Sequence, residues 1–308
     1  MSESDDELSK DLGLFSALAI GIGVMIGAGI FVLPAPAMKT AGPAAIAAYV
    51  LAGVIASFTA LSISELGTAM PKAGGAYYYI NDALGPAFGS IAGWGNWIGL
   101  AASVAFYLIG LGSYTTTFLD VPSVQIVFLE FSPAQVVALI TGALFVGVNI
   151  VGTRETGTLQ IGFVFVLVVI LGVFAVSGLF NFEPDNLRPF APRKTGGWLA
   201  VFPAAALIFV TYLGFAEINT AAEEIQNPSR NLPVAVIGSL VFVTLLYALL
   251  IAVMNGVVGY RGVVGYGDTA VVDVAEVLLG TGGRVALLVA GLLAMASSAN
   301  ASILASSR

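Results

Sequence analysis

The sequence predicts an all-α integral membrane protein, and three observations carry that prediction. Of the 308 residues, 58% are hydrophobic and only 9% are charged, whereas a soluble domain carries about 25% charged residues. The mean hydropathy is +0.98. The apolar residues gather into eight long runs, most of them near the length of about 20 residues that a helix needs to cross a bilayer core.

The chain opens on MSESDDELSKDLG, whose first eleven residues read as an acidic, solvated tail. A secretory signal would need a basic stretch before a short apolar core, so the first run, Leu12–Leu33, reads as a retained membrane helix. Its middle, GIGVMIGAGIF, places glycine at 21, 23, 27 and 29, and each glycine costs a helix interior about 1 kcal/mol relative to alanine. Two readings stand. Gly23 and Gly27 form a G-x-x-x-G pair suited to close packing between membrane helices. That leaves Gly21, Gly29, Pro34 and Pro36 unexplained. In the other reading the helix is broken near mid-membrane, freeing backbone N–H and C=O groups for a polar solute. Such backbone is tolerated at that depth only where it is buried in protein or lines a cavity.

The second run is Ala44–Ile63. The stretch PKAGGAYYYINDALGP, Pro71–Pro86, is too polar to span and rich in aromatics, so a short interfacial or re-entrant helix is expected there. The third run, Gly89–Phe118, is long enough to tilt or project beyond the bilayer. Pro133–Val151 is the fourth, RETG (Arg154–Gly157) a tight turn, and Leu159–Leu179 the fifth. The proline-rich segment Asn181–Gly197 reads as an external loop. The sixth run, Trp198–Ala222, carries Gly214 beside Thr211 and Tyr212, with Glu217 three residues on. A charge at the bilayer centre costs at least about 3 kcal/mol, so Glu217 faces a wet cavity or lies nearer the interface. Glu223 and Glu224 read as a solvated helix end, and Asn227-Pro228 with Pro233 mark the turn into the seventh run, Leu232–Val258. VVGYGD, Val263–Asp268, shares letters with a potassium-channel filter. Val263 stands where a filter has threonine, and Gly259–Gly262 leave no room for a pore helix. A glycine-rich external turn is expected instead. The eighth run is Val285–Ala305.

Composition also excludes. With no cysteine and no histidine, disulfides, thiol nucleophiles and histidine relays are absent from the chain. An intramembrane hydrolase would need paired acids at depth, and Glu217 stands alone there, so the chain reads as no enzyme. A net charge of −7 with lysine only at 10, 39, 72 and 194 argues against a nucleic-acid partner. Loop charge sets no orientation: Lys10, Lys72, Arg154, Arg230 and Arg308 on one side face Lys39, Arg188, Arg193, Lys194, Arg261 and Arg284 on the other.

Two glycine-interrupted runs, the first and the sixth, are separated by four uninterrupted ones. Paired broken helices of this kind are the best sequence pointer to a transporter's binding site. At these positions the wording becomes familiar. GVMIGAGIF, PKAGGAYYYINDALGP, NIVGTRETGTLQ, FVTYLGFAEINTAAEEIQNPSRNLP and SSANASILASSR occur in the order in which the amino acid–polyamine–organocation transporter family has them, and the resemblance runs from about Leu12 to Arg308. It implies the leucine-transporter fold, with two inverted five-helix repeats and broken helices one and six. Residues 12–182 would then be the first repeat and 198–308 an incomplete second one. It further implies that Met25, Gly27, Ala28 and Gly29 offer backbone groups to a substrate carboxylate, while Phe209, Tyr212, Gly214 and Phe215 line the ammonium and side-chain end.

Three departures modify the expectation. Members often carry an acid two residues after the span-six glycine. Here Ala216 holds that position and Glu217 follows, about 100° further around a helix, where it is a candidate coupling residue together with Ser297 and Ser298. Some proton-coupled members carry a lysine in span five, where this chain has Leu167. That favours Na+ over H+ as the coupling ion, held by carbonyls of span one and the hydroxyl of Ser297 or Ser298, which also read as small packing residues. No other cofactor is expected. Finally, eight spans are fewer than the family's usual ten to twelve. The expected partners are therefore an amino acid or amine substrate, the lipid bilayer, and either a second copy or another chain supplying the remaining helices. The competing reading is a non-transporting remnant or accessory subunit.

Overall fold

The computed structural model describes residues 12–70, 75–126, 128–151, 157–220 and 225–306. The acidic tail, Lys72, Arg154, Glu223, Glu224 and Arg308 lie outside the described residues, as does the side chain of Glu217.

The first apolar run is divided. Helix α1 (Leu14–Met25) stops, and α2 (Ala28–Val32) begins two residues later, followed directly by α3 (Pro34–Ala41). Then come α4 (Ala45–Ala69), α5 (Gly75–Leu84) and α6 (Pro86–Thr115). A small antiparallel hairpin, β1 (Val124–Ile126) with β2 (Leu129–Phe131), leads to α7 (Pro133–Val151) and α8 (Gly157–Phe180). The sixth run is also divided, into α9 (Val201–Ile208), a 3-10 turn over Phe209–Tyr212, and α10 (Phe215–Thr220). The last two elements are α11 (Pro228–Tyr266), bent at Gly259, and α12 (Ala270–Ser306), bent at Gly280.

Local chemistry explains the boundaries. At the start of α7, the Ser132 N–H donates to Gln135 Oε1 at 2.8 Å and the Gln135 N–H donates to Ser132 Oγ at 3.4 Å, the reciprocal pairing of a capping box. Proline opens α3, α6, α7 and α11, where its missing N–H has no helical partner to lose.

Six stretches among the described residues are long and apolar enough to cross a membrane. One of them, Pro228–Ile303, runs 76 residues. At about 1.5 Å per residue that is roughly 110 Å, against a bilayer core of about 30 Å, so it holds both the seventh and eighth predicted spans. The shorter apolar stretch Gly197–Tyr212 is the first part of the sixth.

VVGYGD differs from expectation. The stretch is helical as far as Tyr266, the end of α11, and only its last two residues enter a turn, the 3-10 turn Gly267–Thr269. Val263 is fully buried and anchors the start of the stretch, while Gly265, Tyr266 and Asp268 are exposed. The chain turns at Gly259, before the stretch, and at Gly267 within it, with φ of 69° and 65°.

Packing follows membrane rules. Ala45, Ala48, Ala52, Ala56 and Ala60 line one face of α4 and are fully buried, while Val54, Ile55, Phe58 and Leu61 on other faces are exposed. Small side chains inside and large ones outside let backbones approach closely where lipid leaves little hydrophobic drive between helices. The alanine-rich α4 packs on α9 and α11. Helix α12 packs on α6 and α8, and α1 on α8, α10 and α11. The two divided runs thus meet in the centre, held by α4, α8, α11 and α12.

Candidate functional site

The break in the first run is built from two residues. Ile26 has φ −79°, ψ 43° and Gly27 has φ −80°, ψ −140°. The Ile26 N–H still donates to the Ile22 carbonyl at 2.9 Å. Beyond it the ladder stops, and α2 starts with N–H groups that have no carbonyl one turn earlier. In the sixth run the chain tightens into the 3-10 turn Phe209–Tyr212 before α10 begins. There the Thr211 hydroxyl donates to the Ile208 carbonyl at 2.8 Å, occupying one of the carbonyls released.

The two breaks touch. Gly29 lies against Thr211, so closely that a Cβ at 29 would overlap the threonine side chain. A Cβ at Gly214 would stand 2.7 Å from the Met25 nitrogen and 2.9 Å from the Val24 carbonyl carbon. Glycine is required at both places by close approach, backbone to backbone in the second case. Gly27 faces α12: a Cβ there would come 2.7 Å from Ser298 Oγ and 3.0 Å from Tyr107. Gly21, in contrast, packs against Ile218 and Ser239, an ordinary helix contact.

Around this junction lie four tyrosines, of which the sequence reading singled out Tyr212 but not Tyr49, Tyr114 or Tyr247. Tyr247 of α11 donates to the Met25 carbonyl at 2.5 Å, capping the end of α1. Tyr114 of α6 donates to the Phe31 carbonyl at 2.9 Å, at the other end of α2. Tyr212 is fully buried and donates to the Tyr49 carbonyl at 2.9 Å. The rings of Tyr49, Tyr212 and Tyr247 meet edge-on, at centroid separations of 5.6 Å from Tyr247 to each of the others. A phenol inside an apolar span usually finds a partner for its hydroxyl. That rule was the available signal; the partner itself was not in the sequence.

The sequence-predicted residues are brought together in part. Met25, Ala28, Gly29, Tyr212 and Phe215 are buried at the junction, with Phe209 half-buried on the 3-10 turn. Tyr212 turns its hydroxyl into the α4 backbone rather than toward α2. Glu217 lies within α10. Ser298 is buried beside Gly27, whereas Ser297 is only half-buried. Leu167 of α8 is buried in the same core. Two hydroxyls here, Tyr49 Oη and Ser298 Oγ, are buried without a hydrogen-bond partner. An unmade bond of this kind costs about 1–3 kcal/mol, so these are the groups most in need of a solute, ion or water. The far ends of the divided runs are also joined: Leu12 bridges Ile225, and the Gln226 N–H donates to the Leu12 carbonyl at 2.9 Å.

Tyr247→Phe is expected to leave the buried Met25 carbonyl unpaired and to lower stability by about 1–3 kcal/mol. Thermal unfolding in detergent measures this; an unchanged midpoint would mean that the carbonyl has another partner.

Comparison with known proteins identifies relatives of this chain. The amino acid permease family model matches residues 12–308. The chain is 31% identical over 274 residues, 84% of its length, to a branched-chain amino acid permease of Bacillus subtilis, covering 57% of that protein. It is 30% identical over 306 residues, 99% of its length, to the inner membrane transport protein YbaT of Escherichia coli, covering 69% of it. It is 30% identical over 267 residues, 82% of its length, to a methylthioribose transporter of Bacillus subtilis, covering 56% of it. The chain thus spans between about half and two thirds of the length of these relatives.

Proposed function

This chain belongs to the amino acid permease family of amino acid–polyamine–organocation transporters, and we propose that it carries an amino acid or related amine across the cell membrane by alternating access. It is a multi-pass integral membrane protein of that membrane, and a permease-family member rather than an enzyme. The observation that carries the proposal is the abutment of two helix breaks, at Gly29 with Thr211 and at Gly214 with Met25, inside the core.

In the proposed mechanism the substrate carboxylate meets the N–H groups of Gly27, Ala28 and Gly29, where a helix start carries partial positive charge. Phe209, Tyr212 and Phe215 form an apolar wall for the side chain, and carbonyls near Gly214 receive the ammonium group. The wall suits an apolar amino acid, in keeping with the name of the branched-chain permease of Bacillus subtilis. The junction residues are buried, so substrate arrival and departure require the half-helices to part from α4, α11 and α12 on alternate sides. The arrangement around Gly29 and Gly214 corresponds, in this reading, to the leucine-transporter fold, with 12–182 as one repeat and 198–308 as part of the next.

The coupling ion is proposed to be Na+. The unpartnered Ser298 hydroxyl faces the break at Gly27, and helix carbonyls released by the break are hard oxygen ligands suited to such a cation. Ser298→Ala is expected to remove the sodium dependence of binding, and Glu217→Gln to leave it in place. The reverse result would move coupling to Glu217 and to H+.

A thermal-shift screen of amino acids and amines, with and without sodium, tests the binding site. A true substrate at 100 times its Kd stabilises by about 2.7 kcal/mol. If no amino acid or amine shifts the midpoint, the binding proposal fails.

A further inference from the structure

A second feature lies at the far end of α11, away from the helix breaks. The segment between α8 and α9 is firmly docked. Its Glu183 N–H and Asn186 side-chain amide both donate to the Gly256 carbonyl, at 3.0 and 2.8 Å. The Thr195 and Gly197 N–H groups both donate to the Pro192 carbonyl, at 3.1 and 3.0 Å. At Gly259 the chain turns with φ 69°, which brings Tyr260 and Arg261 over this segment.

Between them is a cleft of about 510 Å³. Arg188, Arg193, Lys194 and Arg261 line it. These are four of the eleven lysine and arginine residues in a chain of net charge −7. One acid, Asp185, also lines it and pairs with Arg188 at 3.4 Å. Arg261 sits over the Tyr260 ring at 5.7 Å. Arg193 and Lys194 have no ion pair among the described residues. The cleft therefore holds a surplus of positive charge on a pinned backbone, an arrangement suited to an oxyanion, which guanidinium groups grip bidentately.

What adjoins the cleft indicates the source of the oxyanion. Immediately after Lys194 the chain exposes Trp198, Leu199 and Phe202, at 63%, 76% and 63%. Trp198 packs against Phe190 with ring centroids 5.6 Å apart. Tryptophan marks the membrane–water interface, and exposed Leu and Phe beside it mark the acyl-chain level. Cations at the headgroup level next to an apolar wall form a phospholipid-shaped surface. We infer that this cleft binds the phosphate of an anionic phospholipid headgroup, with its chains lying along Trp198, Leu199 and Phe202. The inference is independent of the transport proposal.

Native mass spectrometry of the purified full chain with added phosphatidylglycerol or phosphatidylcholine tests it. Phosphatidylglycerol should be retained preferentially. The triple variant R188Q/R193Q/R261Q should lose that retention at least tenfold, while R188K/R193K/R261K keeps most of it and guards against simple misfolding. Arg230→Gln, at the other end of α11, should change nothing. Equal retention of the two lipids, or full retention by the glutamine variant, overturns the site. Retention of added inorganic phosphate together with no preference for phosphatidylglycerol assigns the cleft to a free oxyanion and overturns the lipid assignment.

Discussion

Gly29→Leu is expected to abolish substrate binding while leaving membrane insertion intact. Gly29 lies in the first turn of α2, against the Cβ and Cγ2 atoms of Thr211. Threonine cannot rotate away freely, because its hydroxyl is bonded to the Ile208 carbonyl at 2.8 Å. An added side chain must therefore break that bond or push α2 from the sixth run. Overpacking by one or two carbons costs about 1–3 kcal/mol, so Gly29→Ala alone should weaken binding by roughly 5- to 150-fold. Leucine, with four carbons, should leave none measurable. Insertion depends on summed hydropathy, which leucine raises. Equilibrium binding of a radiolabelled substrate, with expression level as the control, checks both halves. Binding unchanged in Gly29→Leu would mean that the solute sits elsewhere.

Gly214→Val is expected to have an effect of the same size from the opposite side. The atoms that its Cβ would meet, 2.7 and 2.9 Å away, are backbone atoms of Met25 and Val24, and no rotamer change relieves such contacts. The two breaks must then separate, and binding and uptake should both fail. Gly172 in the middle of α8 has nothing within 4 Å of a would-be Cβ. Gly172→Val in the same assay should behave as wild type, which separates the loss of contact from the general effect of a β-branched residue in a membrane helix. Equal activity of the two variants would remove the junction from the mechanism.

How far the molecule could be read in its sequence depended on the range of the interaction. Helix α7 covers Pro133–Val151, the bounds of the fourth apolar run, because proline and a local capping pair start it. The breaks were legible because glycine is costly in a helix and two such runs stood five spans apart. What holds the breaks was not legible. Tyr247 and Met25 are separated by 222 residues, and Tyr212 and Tyr49 by 163, so only the folded chain pairs them. Gly21 shows the same limit: nothing local distinguishes it from Gly29, yet one packs on Ile218 and Ser239 and the other on Thr211. The three-residue strands β1 and β2 are too short to display a period. VVGYGD was legible only in part: Gly267 makes the turn that its glycines suggested, while the residues before it, with Val263 buried, remain helical.

The most direct test of the central claim is uptake by the purified full chain in proteoliposomes, using the amino acid that stabilises it best in solution. The account predicts saturable uptake that unlabelled substrate competes and that Gly29→Leu eliminates. Absence of saturable uptake by the wild-type chain, or uptake that persists in Gly29→Leu, would contradict it.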